Sequence, residues 1–113
     1  MNVLSELDVL VTGLGLPVET GVFSGKAPAE YVVITPLAED FPLHCDNIPV
    51  YETQEARLSL FSKGNYLAAK RRLVKALLQA GFTITDRRYI GREDDTGYFH
   101  VSIDAQKLYE WSD

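Results

Sequence analysis

Apolar residues at Val3, Leu4, Leu7, Leu10, Val11 and Leu14 recur at three- and four-residue steps, the spacing of one face of an amphipathic helix. Gly13, Gly15 and Pro17 close it: glycine accepts positive φ at a helix end, and proline lacks the N–H needed to continue. Val18–Phe23 predicts a short strand, and Ser24-Gly25-Lys26-Ala27-Pro28 a loop. Tyr31–Leu37 predicts another strand, mostly buried because Tyr31, Val32, Val33 and Ile34 follow one another. Pro36 removes a ladder donor near its end, which places that end at a sheet edge or exit. From Leu37 to Pro49 the pattern is least regular, with Pro42, Pro49, Asp40, His44, Cys45, Asp46 and Asn47 around three apolar anchors, Phe41, Leu43 and Ile48. This stretch predicts a long loop between strands, and such loops inside compact domains often serve in binding.

The strongest pattern runs from Tyr51 to Ala105. Glu55–Ser62 alternates, with Ala56, Leu58 and Leu60 on one face of a strand. Lys63-Gly64-Asn65 breaks it, and Asn65 is placed to cap a helix by accepting from an unpaired amide of the first turn. On a helical wheel Tyr66, Leu67, Leu73, Val74, Leu77 and Leu78 fall within one arc, opposite Arg71, Arg72, Lys75 and Gln79, and Gly81 ends the helix. Lys70 lands inside the apolar arc; its stem is expected along the core edge with its ammonium in water. Phe82, Ile84 and Ile90 define a further strand. Glu93-Asp94-Asp95-Thr96-Gly97 suits a hairpin loop. Phe99, Val101, Ile103 and Ala105 then point inward on the return strand, with Tyr98, His100 and Ser102 outward. Tyr109 and Trp111 are expected to dock, on this chain or on a neighbour.

The order helix, strands, helix, hairpin predicts an α+β domain: a mainly antiparallel β-sheet with two helices packed on one face and the other face open. At 113 residues the chain predicts one domain spanning 1–113, without repeat, linker or low-complexity tract. Hydrophobic residues at 46% and charged residues at 24% exclude disorder. A net charge of −5 weighs against a dedicated nucleic-acid binder. Cys45 is the only cysteine, so no internal disulfide forms and a reducing compartment is expected. Acidic Glu6 and Asp8 interrupt the apolar residues of Met1–Leu16, no basic stretch precedes them, and no apolar run approaches the roughly 20 residues of a membrane span. A soluble protein made in the cytoplasm is expected.

Candidate chemistry is sparse. His44-Cys45-Asp46 brings a base, a nucleophile and an acid together, but neighbouring side chains in an extended segment diverge, and Asp40 and Asp46 oppose the electropositive setting a reactive thiol needs. A buried loop cysteine is the plainer reading. His44 and His100 are the only histidines, and one cysteine does not make a structural zinc site. Glu93-Asp94-Asp95 lacks the ligand spacing of a calcium loop and reads as a solvated turn. No phosphate-cradling glycine loop appears. No catalytic residue, metal or cofactor is therefore expected. Lys70-Arg71-Arg72 with Lys75, and Arg87-Arg88 with Arg92, make up basic surfaces that read as solvated faces or as contacts for an acidic partner, and less readily as a phosphate-binding face.

One family has this succession of blocks. Tyr31-Val32-Val33-Ile34, Cys45-Asp46-Asn47-Ile48-Pro49, Glu52-Thr53-Gln54 and the strand from Ala56 to Lys63 follow one another in this chain. A helix ending Leu77-Leu78-Gln79-Ala80-Gly81-Phe82 and then Glu93-Asp94-Asp95-Thr96-Gly97-Tyr98-Phe99-His100 complete the series. Together they resemble the small tail-completion, or tail-terminator, proteins of long-tailed bacteriophages and prophages. The resemblance covers roughly residues 30–105, in block order and character rather than in an invariant signature, and residues 1–29 match less clearly. It implies a non-enzymatic virion protein that caps the tail tube as a ring, commonly hexameric, ends tube polymerisation and offers the surface that joins the head. The implied partners are other copies of the chain, the tail-tube protein and a head-completion protein, with no membrane and with DNA only as cargo passing through the ring. Asp46 and Asn47 match the polar loop before the long strand, and Asp94, Asp95 and Thr96 the hairpin tip; with Lys70 and Arg71 they are the candidate contacts. A head-side connector of the same particle, or a small prophage nucleic-acid-binding protein using the Lys70–Lys75 face, remain open alternatives.

Overall fold

The computed structural model describes residues 2–20, 28–45 and 48–111, with the side chains of Thr20 and of residues 42–49 outside that description. The elements are α1 (Val3–Gly13), β1 (Val18–Thr20), β2 (Glu30–Cys45), β3 (Ile48–Ser62), α2 (Tyr66–Gln79), β4 (Thr83–Arg92) and β5 (Phe99–Glu110). The strands form one sheet in the order β1-β2-β3-β5-β4, parallel between β1 and β2 and antiparallel elsewhere. The fold is α+β, as the sequence pattern predicts.

Both helices cover the same face. Cross-strand partners Ile34, Leu58 and Ile103 form one fully buried row, and Val32, Leu60 and Val101 the next. From above, α1 contributes Val3, Leu7 and Val11 and α2 contributes Ala69, Leu73 and Leu77 to the same core. Asn2 caps α1 by accepting from Ser5 N–H at 2.8 Å, and Asn65 caps α2 by accepting from Ala68 N–H at 3.2 Å, each satisfying an amide of the first turn. Gly81, at φ +89°, ends α2 in a conformation that a β-carbon disfavours, and turns the chain into β4. The Arg72 guanidinium donates to the Leu14 carbonyl, joining the two helices.

Two sequence expectations change here. The stretch 37–49 is not a long loop, and Cys45 ends a strand: β2 runs on to Cys45 and β3 begins at Ile48, so the two strands pair as a projecting hairpin arm. The irregular pattern has a structural counterpart in the register shifts between Pro36 and Ala38, between Asp40 and Leu43 and between Leu43 and His44, where bulges or irregularities interrupt the alternation. Among the described residues, Pro36 lies beyond the last β1–β2 pair, Thr20 with Ile34, an edge position that suits its missing N–H. The molecule measures 54 × 25 × 23 Å. The second change lies in α2: Leu67 and Leu78 do not enter the core but stand 50% and 58% exposed.

Candidate interaction surfaces

The sheet face away from the helices carries a row built by register. Tyr31, Phe61 and His100 are successive cross-strand partners on β2, β3 and β5. Tyr31 stacks on Phe61 at 4.9 Å between centroids, and Phe61 on His100 at 4.3 Å. Tyr98 meets Tyr31 and Phe61 edge-on, lies beneath the Lys63 ammonium and donates its hydroxyl to the Pro28 carbonyl. These pairings stabilise the sheet on its uncovered side. Burial, ahead of the opposing effect of Glu93 and the repulsion of Arg57, holds the His100 imidazole below its ordinary pKa. Its Nε2 is buried without a hydrogen-bond partner among the described residues.

Further along that face, Arg57 grips Asp104 with two hydrogen bonds, at 2.8 and 3.1 Å. Arg57, Ser59, Arg88, Ile90, His100 and Ser102 line a shallow cleft of about 180 Å³ there. Arg57 is held by Asp104 and Arg88 by Asp86 at 2.6 Å, so both guanidiniums are committed within the chain.

A different surface lies between α2 and β4. Val74 and Leu78 floor a groove of about 310 Å³, and Lys70, Arg71, Lys75 and Arg87 rim it. None of these four cations makes an ion pair among the described residues. Leu67, Val74 and Leu78 follow one another at steps of seven and four, so α2 has a second apolar stripe beside the one it buries. Lys70 is half-buried along this groove, its stem on apolar surface.

The arm is the chemical opposite. Glu39, Asp40, Glu52 and Glu55 lie along it, with Leu37 and Phe41 both more than a third exposed. Phe41 meets the ring of Trp111 edge-on at 4.9 Å, and Trp111 N–H donates to the Val50 carbonyl, so the C-terminal residues dock on the arm. Glu39 faces Glu52; the hydrogen bond between their carboxyls first, and the like charge second, push the Glu39 pKa up.

The candidate contacts predicted from sequence are not one cluster. Lys70 and Arg71 rim the α2–β4 groove. Asp94, Asp95 and Thr96 form the β4–β5 turn, where Thr96 Oγ1 donates to Glu93 Oε1 at 2.7 Å and Arg92 lies 3.5 Å from Asp94. Asp46 and Asn47 lie outside the described residues. β3 begins at Ile48, at the opposite end of the sheet from that turn, and its 15 residues reach Ser62 in fourteen steps, about 46 Å. Sequence reading missed Arg87 as the fourth rim cation and Val74 and Leu78 as the groove floor; the seven- and four-residue spacing of Leu67, Val74 and Leu78 was the available signal. The side chains of His44 and Cys45 are outside the described residues. Among the described residues no group of acids, histidines and cysteines is placed to hold a metal, and no helix is long and apolar enough to cross a membrane. No protein-family model matches the chain, and no curated protein matches it.

Proposed function

We propose that this chain is a non-enzymatic structural protein of a long-tailed phage or prophage particle. In this reading several copies, six by the family resemblance, close into a ring on the end of the tail tube, end tube growth and present the surface that meets the head. Two things support it: the block resemblance through residues 30–105, and the fold that those blocks make. The observation that carries it is the presence of two unlike surfaces on one small domain. The β2–β3 arm is acidic and partly apolar, and the α2–β4 groove is basic around an apolar floor. A ring needs such a pair, because a heterologous contact joins one patch to a different patch on the next copy.

The test is electron microscopy of particles made without this protein. Overlong tails, or tails of normal length that do not join heads, are the expected result. Full heads that leak or never acquire a joining surface while tails are normal would move the protein to the head side of the junction. Normal infectious particles would reject the virion role and bring forward the nucleic-acid reading.

A further inference from the structure

We infer that the α2–β4 groove receives the acidic arm of a second copy of this chain. This names the subunit contact within the ring reading and takes its biological meaning from that reading, although the contact itself follows from how charge is laid out. Residues 28–56 carry six acids and no Lys or Arg; from 56 to 92 the chain carries nine of its eleven Lys and Arg and one acid, Asp86. Folding keeps the acidic strand β2 away from the basic groove: β2 and the edge strand β4 lie on opposite sides of β3 and β5, three strand spacings, about 14 Å, apart. Among the described residues, Thr85 reaches from β4 towards the arm through its bond to Glu55 at 2.6 Å. Among the described residues no carboxylate pairs with Lys70, Arg71, Lys75 or Arg87, while Glu39 is pressed against a like charge.

Apolar surface follows the same division. Leu78 lies 58% exposed in the groove, and Leu37 and Phe41 lie 40% and 37% exposed on the arm. A groove of about 310 Å³ accepts inserted side chains rather than a strand, so Leu37 fills its floor while Glu39, which lines the same surface of the arm, meets the basic rim. The resulting contact has an apolar centre within a charged rim, the usual anatomy of a protein interface. It is heterologous, so each copy offers a free arm and a free groove until the chain of copies closes. A basic groove facing an acidic arm also rejects arm-to-arm and groove-to-groove pairings, which juxtapose like charges.

The experiment is a charge exchange read by sedimentation velocity on the whole chain. The groove variant carries K70E and R71E; the arm variant carries E39K and D40K. Wild-type protein is expected to associate at concentrations up to about 1 mM in low salt, with weaker association as salt screens the rim. Each variant alone is expected to associate at least about tenfold more weakly, because like charges then face each other. Mixing the two variants restores association, since an acidic groove now meets a basic arm. Circular dichroism of each variant confirms that both fold. A wild type that stays monomeric throughout, variants that associate normally, or a mixture that does not recover would each overturn the proposal. If instead the wild type is monomeric and binds duplex DNA through Lys70 and Arg71, the groove belongs to nucleic acid and the inference also falls. The two readings fail separately. Recovery on mixing alongside normal particles lacking the protein removes the virion role and keeps the contact, and defective particles alongside charge-indifferent association do the reverse.

Discussion

The hydroxyl of Tyr109 donates to Oε1 of Glu6 over 2.9 Å, joining the last strand of the sheet to its first helix. The second oxygen of the same carboxylate accepts from Lys107 Nζ at 2.6 Å, and that ammonium also donates to the Ala80 carbonyl at the end of α2. One side chain thus gathers α1, β5 and the α2 exit. Burial first, and the bond to Glu6 second, push the Tyr109 phenol up, so it remains a donor through the neutral range.

Replacing Glu6 by alanine removes the acceptor for both groups and leaves a half-buried ammonium with one backbone carbonyl. The expected loss is about 1–3 kcal/mol in urea unfolding, larger than for Tyr109→Phe, which removes one bond and keeps the ring. A loss for Glu6→Ala no greater than that for Tyr109→Phe would show that the lysine bond contributes nothing.

Arg57 and Asp104 form an asymmetric pair. The Arg57 side chain is 44% exposed and that of Asp104 only 9%. Removing the arginine strands a nearly buried carboxylate, whereas removing the aspartate leaves a guanidinium that water reaches. Arg57→Ala is therefore expected to cost about 2 kcal/mol and Asp104→Ala less than that, against the usual small worth of surface pairs. Denaturation midpoints of the two single variants decide it, and equal losses would contradict the asymmetry.

How far these elements were legible follows from where their constraints act. The α2 caps were readable because Asn65 and Gly81 act on backbone groups of their own helix. The outward side of β5 was readable because strand alternation is local. The arm was misread because Pro36, Pro42 and Pro49 and three register shifts disturb the alternation, and pairing between β2 and β3 decides that it is extended. The row Tyr31–Phe61–His100 was out of reach for the same reason: it exists only once the register of β2, β3 and β5 is set. The groove was half legible. Lys70 and Arg71 were picked out by charge, but Leu67 and Leu78 were assigned to the core because a wheel shows a wide apolar arc without showing which part of it the sheet covers.

That division of α2 is testable. Leu73 is fully buried and Leu78 is 58% exposed on the groove floor. Leu73→Ala is expected to cost about 2–5 kcal/mol by opening a core cavity, and Leu78→Ser no more than about 0.5 kcal/mol. Thermal or urea unfolding checks both. A comparable loss at Leu78 would return it to the core and remove the apolar floor of the groove.

His100 gives a pH signature with a definite sign. Its ordinary value is 6.5, and in the folded chain burial lowers it, with Glu93 opposing and Arg57 assisting. Between the lowered folded value and 6.5 the unfolded chain holds more protons at this site than the folded one. Its contribution to stability is thus complete above pH 6.5 and is lost as pH falls through the folded value. Phenylalanine at this position keeps the stack on Phe61 and removes both the titration and the unpartnered Nε2. His100→Phe is therefore expected to match the wild type within about 1 kcal/mol at neutral pH, and to lose less stability than the wild type on acidification to about pH 5. Both proteins share every other titrating group, so the difference between their urea midpoints across that interval isolates His100. Parallel curves would mean that the imidazole titrates alike in the folded and unfolded chain.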